Sequence, residues 1–257
     1  MATATLYEKR NESAWITLDQ PERRNALSDA LVGELLAHLD VALGDPEVRL
    51  IVLTGNGPAF CAGADLKAGG MRAADEGDEQ PFVRLLRTLW NSPKPVLARV
   101  NGHAFGGGLG LMAACDLVVA SSAAKFSFSE VRIGVVPAMI SVVVLPKIGV
   151  NEGMWLFLTG ERFDAERACE IGLVHRVAAP EELDAAVQRV VDMIRLGGPQ
   201  AVSAAKRLVR RVPTLSMDEG FRYTADLIGG LFASPEAHEG MRAFTEKRPP
   251  AWAKPTE

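Results

Sequence analysis

The sequence predicts an α/β protein built from repeated strand–strand–helix turns and ending in a helical tail. Two observations carry this prediction: an internal duplication, and a change of hydrophobic periodicity at Pro180. In the duplication, Asn56-Gly57-Pro58-Ala59-Phe60-Cys61-Ala62-Gly63-Ala64-Asp65-Leu66 runs nearly in step with Asn101-Gly102-His103-Ala104-Phe105-Gly106-Gly107-Gly108-Leu109-Gly110-Leu111, 45 residues later. Each copy follows a short apolar run, Leu50–Leu53 or Val96–Val100, and opens into a stretch able to form a helix. A unit used twice places its turns at the same end of a sheet. Unpaired backbone N–H groups from both turns can then converge and stabilise negative charge on a substrate oxygen.

The elements follow in order. Ala14–Leu18 reads as a strand that ends before Pro21. Ser28 is placed to N-cap a helix whose Leu31, Leu35 and Leu39 form an apolar stripe, with Pro46 beyond its end. Leu50–Leu53, Val96–Val100, Leu117–Ala120 and the alternating Lys125–Phe128 are further strands. Residues 67–81, rich in glycine and acidic side chains, read as a mobile loop. Helices are expected over 151–158 and 165–171, closed by Gly160 and Gly172. Beyond Pro180 come four more, over 181–196, 199–211, 216–232 and 235–246. The core is taken as 1–197 and the helical region as 198–257.

Composition narrows the function. The 257 residues are 48% hydrophobic and 23% charged, with a net charge of −4 and scattered basic residues. That argues against nucleic acid as a partner. The first eleven residues lack a long apolar segment, and runs such as Val142–Leu145 are too short for a bilayer, so no membrane association is expected. Cys61, Cys115 and Cys169 are odd in number and widely spaced. They make no zinc or disulfide framework, which suits a cytoplasmic location and predicts no metal. The glycines show neither dinucleotide nor phosphate-loop spacing, and no Gly-x-Ser-x-Gly elbow occurs. His38, His103, His175 and His238 are isolated and read as structural or surface residues, and Cys61 as a small buried hydrophobe.

Glu130 is the side chain best placed for chemistry. It follows the strand at 125–128 and precedes the turn Gly134–Pro137, so its carboxylate can leave a strand end into a pocket. The alternative reading is a surface salt-bridge partner. Likewise, the two glycine-rich turns can be read simply as devices for tight helix–sheet packing.

The chain resembles the enoyl-CoA hydratase/isomerase (crotonase) superfamily. The resemblance rests on Asn25-Ala26-Leu27, Phe60–Leu66, Asn101-Gly102 with Gly106-Gly107-Gly108, Cys115-Asp116, Phe126 with Ser129-Glu130, Leu158-Thr159-Gly160, Gly172-Leu173-Val174 and Ala243–Arg248. These motifs cover nearly the whole chain in the family's order. The resemblance implies a crotonase-like spiral of ββα turns with a C-terminal trimerisation region, giving a homotrimer or homohexamer. It implies an acyl-CoA substrate and no separate cofactor, coenzyme A being part of the substrate. The oxyanion-hole donors would be the N–H groups of Ala64 and Gly107, with Glu130 as acid and base. Coenzyme A would lie against Ala26, Ala62, Ala64, Asp65, Leu66 and Lys67, with Arg24 near its phosphates and Lys247 reaching over from a neighbouring subunit. For Arg24 and Lys247 the alternative is a solvated surface charge.

Two departures from the family pattern stand out. Hydratases of the family use two glutamates, and Gly110 occupies the place of the first. Glu130 alone is the arrangement of enoyl-CoA isomerases. Gly110→Glu is expected to be tolerated, since it falls in the first turn of a helix. The second departure is Val136–Ser141, where many hydratases carry several glycines after the proline. A subset of the family, including some members assigned to branched or carboxylated substrates such as 3-methylglutaconyl-CoA, resembles this chain here. An enoyl-CoA hydratase is therefore expected, with an isomerase or a non-catalytic acyl-CoA-binding protein as alternatives. The basic cluster Lys206–Arg211 is read as a solvated or inter-subunit face, and Asp75–Glu79 as a soluble acidic loop.

Overall fold

The computed structural model describes residues 3–66, 69–70 and 79–253. The strands form two sheets. The larger runs β1(Thr5–Arg10), β2(Ser13–Leu18), β3(Leu50–Gly55), β5(Val96–Val100), β7(Leu117–Ser121), β10(Arg176–Ala178), parallel except for the β1/β2 hairpin. The smaller runs β4(Ala59–Cys61), β6(His103–Phe105), β8(Lys125–Ser127), β9(Phe163–Asp164), with only β9 antiparallel. Consecutive strands therefore step from one sheet to the other: β3 to β4, β5 to β6, β7 to β8. Helices α2(Pro81–Asn91), α3(Gly107–Ala114) and α4(Ala138–Thr159) return the chain for the next turn, and the short α5(Ala165–Glu170) follows β9 where a helix was expected. The duplicated phrases are stacked neighbours, with Ile51 paired to Val96 and Ala59 to His103.

Side-chain alternation makes the large sheet apolar on both faces, as parallel sheets require. Ile51 and Leu53 join a core with Leu31, Leu35 and Leu39 of α1(Asp29–Gly44), while Leu50, Val52, Leu97 and Val119 meet Leu183, Val187 and Val191 of α6(Leu183–Leu196). Each fully buried leucine contributes roughly 1.5–3 kcal/mol. The predicted cap of α1 is present, Ser28 accepting from the Leu31 N–H at 3.3 Å. Two side-chain amides tie successive turns together. Asn25 Nδ2 donates to the carbonyls of Asn56 and Ala59, and Asn101 Nδ2 to that of Gly57.

Several elements depart from the sequence reading. β1, β4, β6, β9 and β10 are short or edge strands without a strong alternating pattern, and α2 opens directly at Pro81. The helix expected at 151–158 is the second half of α4, whose two halves meet at Gly149 (φ 75°). By length and apolarity α4 could cross a bilayer, contrary to the expectation that no stretch here is long enough. However, its Ile140, Val143, Val144, Ile148 and Leu156 are buried within the protein. Of the loop expected at 67–81, residues 67–68 and 71–78 lie outside the described residues. Of the acidic run, only Glu79 is described, and it pairs with Arg87 at 2.9 Å.

The tail comprises α7(Pro199–Arg211), α8(Met217–Phe232) and α9(Pro235–Thr245). Here the reading of Lys206–Arg211 as a solvated or inter-subunit face is corrected for Lys206 and Arg210, while Arg207 and Arg211 are exposed. Lys206 and Arg210 both turn inward to Asp116 at 2.7 and 2.6 Å, and Arg210 also covers the Trp90 ring at 3.9 Å. A largely buried carboxylate is a stronger attractor for these two cations than solvent, because the interior screens the pair less.

Candidate active site

The duplicated turns converge. After β4 the chain turns at Gly63 (φ 87°), and Leu27 donates to the Gly63 carbonyl at 2.8 Å, bridging to Ala64. After β6 it turns at Gly106 (φ 49°) into α3, which starts at Gly107. A β-carbon on Gly63 would stand 3.2 Å from the Gly107 nitrogen and 2.6 Å from the Phe105 carbonyl oxygen. A β-carbon on Gly108 would stand 2.2 Å from the Cys61 carbonyl oxygen. The glycines thus allow two backbone segments to touch that any other residue would hold apart. Among the described residues neither the Ala64 nor the Gly107 N–H has an acceptor. That of Gly107 belongs to the unpaired first turn of a helix, where the dipole favours negative charge.

Glu130 completes the arrangement. It lies in a 3₁₀ turn, Ser129–Ile133, directly after β8, and its carbonyl accepts from Val135 at 3.2 Å. Its carboxylate overlies Gly106: a β-carbon there would be 3.1 Å from Glu130 Oε1. Glu130 Oε2 is buried and, among the described residues, has no hydrogen-bond partner. Burial disfavours the charged form and raises the carboxyl pKa, opposed only in part by a hydrogen bond from the residue's own backbone. A partly desolvated carboxylate with one oxygen left without a partner is costly to a fold and suited to proton transfer.

Ala64, Gly107 and Glu130 share a cavity of about 370 Å³. Ala62 and Leu66 also line it, while its walls are Phe82, Phe105, Ile133, Val135, Val136 and Ile140. Of these, Phe82, Ile133 and Val135 escape the sequence reading. The signal available was the apolar run around Gly134, where Ile133, Val135 and Val136 are all exposed at the cavity mouth. A larger cleft of about 1210 Å³ lies between core and tail. Several of its charges are already engaged, Lys9 with Asp45 and Glu47, and Arg49 with the carbonyls of Arg195 and Trp252.

The remaining site residues are less concentrated. Arg24 is exposed, and its carbonyl accepts from Ala62 at 3.0 Å, so it flanks the first turn without lining the cavity. Ala26 is buried beside it. The Asp65 carboxylate is buried in an ion pair with Arg23, and Asp65 is not among the residues that line the cavity. Lys67 lies outside the described residues. Lys247 is exposed just past α9 and does not line the cavity. Cys61 is fully buried and its thiol is pushed up to about 12 by desolvation, which removes it as a nucleophile. His103 and His175 each accept from a backbone N–H, of Lys125 and Val118, and serve the fold.

The expected tolerance of Gly110→Glu is also corrected. Gly110 is buried in α3, and a β-carbon on it would lie 2.1 Å from Ile140 Cγ2. Helix propensity favours the change, but steric overlap outweighs it.

The comparisons with known proteins agree with this architecture. Residues 8–255 match the family model described as enoyl-CoA hydratase/isomerase. A Thermus thermophilus protein carrying an enoyl-CoA hydratase name is 38% identical over 94% of this chain and 98% of its own length. The carnitinyl-CoA dehydratase of Salmonella typhi is 35% identical over 92% and 93%. The crystal structure of an enoyl-CoA hydratase from Mycobacterium tuberculosis superposes with a TM-score of 0.88 at 35% identity, covering 98% and 100% of the two chains. The chain belongs to the enoyl-CoA hydratase/isomerase family and has the crotonase fold. It is an enzyme of that family, and its relatives support a hydratase-type reaction.

Proposed function

We propose that this protein hydrates a 2-enoyl-CoA thioester bearing an apolar acyl chain. The observation that carries the reading is the placement of the Glu130 carboxylate over Gly106, beside the unpaired Gly107 N–H, within one apolar cavity. The thioester carbonyl oxygen would accept from Ala64 and Gly107. These donors stabilise the enolate-like charge that builds on the oxygen as a nucleophile adds to C3, and losing one such donor typically costs about 10²–10³-fold. Glu130 takes a proton from water, the resulting hydroxide oxygen bonds to C3, and Glu130 returns the proton to C2. Its raised pKa suits both halves of this exchange, since a carboxyl nearer neutrality is a stronger base towards water and still an effective acid towards C2. No cofactor enters beyond the coenzyme A of the substrate.

A second reading has one observation in its favour. Among the described residues Glu130 is the only acidic side chain lining the cavity. A lone carboxylate suffices to move a proton between C2 and C4, as an isomerase requires. Incubation with matched 2-enoyl and 3-enoyl thioesters, followed by mass analysis, separates the two. Gain of one water supports hydration, and an unchanged mass with a shifted double bond supports isomerisation. Binding without product would support a non-catalytic acyl-CoA-binding protein.

We also propose that the protein assembles as a trimer or a dimer of trimers. Helix α8 buries none of its residues in the monomer, although Phe221, Ile228 and Phe232 lie on it. Such a face requires cover.

A further inference from the structure

Gly110 is an unfavourable residue for its position. It lies inside a short helix, where glycine costs about 1 kcal/mol relative to alanine, and it is fully buried, so it gains nothing from solvent. Its neighbour across the helix interface explains its presence. Ile140, in the first turn of α4, is only 3% exposed and projects into the notch that Gly110 leaves. A β-carbon on Gly110 would meet Ile140 Cγ2 at 2.1 Å and Ile140 Cβ at 2.6 Å, while the Ile140 Cα is at 3.5 Å, an ordinary contact. The obstruction is therefore the isoleucine side chain from its first carbon outward, not the backbone of α4.

The notch is also close to the chemistry. Gly110 lies three residues, or about 4.5 Å of helix rise, beyond Gly107. Ile140 lines the same cavity as Glu130. Gly110 itself is not among the cavity-lining residues; Ile140, which fills its notch, is the part of this contact that reaches the cavity.

We propose that Gly110 and Ile140 form one steric unit, in which Ile140 is the specificity-determining wall of the acyl cavity. It presents a branched hydrocarbon to the reacting carbons and bars α3 from contributing a second carboxylate. The two departures noted in the sequence, at 110 and in 136–141, are then a single exchange of volume between facing helices. The catalytic part of this proposal rests on the hydratase reading, while the steric part does not.

The test is a four-protein cycle: parent, Gly110→Glu, Ile140→Gly and the double variant. Thermal melting, crotonyl-CoA affinity and the crotonyl-CoA hydration rate are measured for each. Gly110→Glu is expected to melt well below the parent without hydrating faster. The double variant is expected to recover most of the melting temperature lost on introducing the glutamate. It should also hydrate at least about tenfold faster than Ile140→Gly, a modest share of what an acid–base group supplies. A Gly110→Glu protein that melts like the parent would overturn the steric unit, as would a double variant that recovers nothing. A stable, thioester-binding double variant with no gain over Ile140→Gly would overturn the catalytic part. No turnover by any of the four, with the melting recovery intact, would remove the hydratase reading and uphold the Gly110–Ile140 pairing.

Discussion

Gly63 and Phe105 are in backbone contact across the two duplicated turns, with 2.6 Å between the Phe105 carbonyl oxygen and the point where a β-carbon on Gly63 would lie. Gly63→Ala must push these turns apart and place alanine at a positive φ. Turnover is expected to fall about 10²-fold as one donor leaves the substrate oxygen. Steady-state kinetics on a folded variant checks this, and parental turnover would show that the spacing is not needed.

Glu130→Gln should lower turnover by at least about 10²-fold while leaving thioester affinity nearly unchanged. The same variant should be more stable at neutral pH. Because the folded-state pKa of Glu130 is raised, the native protein holds a proton that the unfolded chain releases. Stability is therefore lost as pH climbs from the ordinary glutamate value through the raised one. Glutamine removes that loss. Melting curves at acid and neutral pH should converge at the acid end and separate above it, with the variant higher.

The pH–rate profile carries the same signature. As base towards water, Glu130 must be ionised, so the acidic limb of kcat/KM should lie above the ordinary glutamate value of about 4.3. A limb at or below that value would place the titrating base elsewhere.

Asp116→Ala leaves Lys206 and Arg210 without their shared carboxylate. Removing one member of a buried ion network typically costs about 3–5 kcal/mol. Urea unfolding should show a loss of this order, and limited proteolysis should cut first within 199–253. An unchanged midpoint would mean that this ion network does not hold the tail.

Light scattering should report a trimer or a dimer of trimers. Phe221→Asp combined with Ile228→Asp should shift the protein towards monomer. A parent that is monomeric across a dilution series removes the assembly proposal.

Legibility in the sequence followed the strength of each local signal. The Ser28 cap, the leucine stripe of α1 and the amphipathic tail helices were readable because their pattern is set within a few residues. The placement of Glu130 just past the alternating strand at 125–128, facing a cavity, was readable from its position. The edge strands were not, since three-residue pairings such as β4/β6 depend on partners more than 40 residues away. Lys206 and Arg210 looked like surface charge because nothing local reveals that Asp116 waits across the interface. Gly110 misled for a related reason: helix rules speak only to its own helix, whereas Ile140 decides what fits there.

Asp116 lies two residues past the end of α3 opposite Gly107. The helix between them is only eight residues long, a rod of about 12 Å. One tip carries the amide proposed to meet the substrate oxygen, and just past the other the tail is moored. Loosening the mooring therefore frees the very strut on which the amide is mounted. On the proposed reading the tail is then part of the scaffold of the reaction centre, and a truncated chain ending before α7 is expected to lose a support of its chemistry along with its tail.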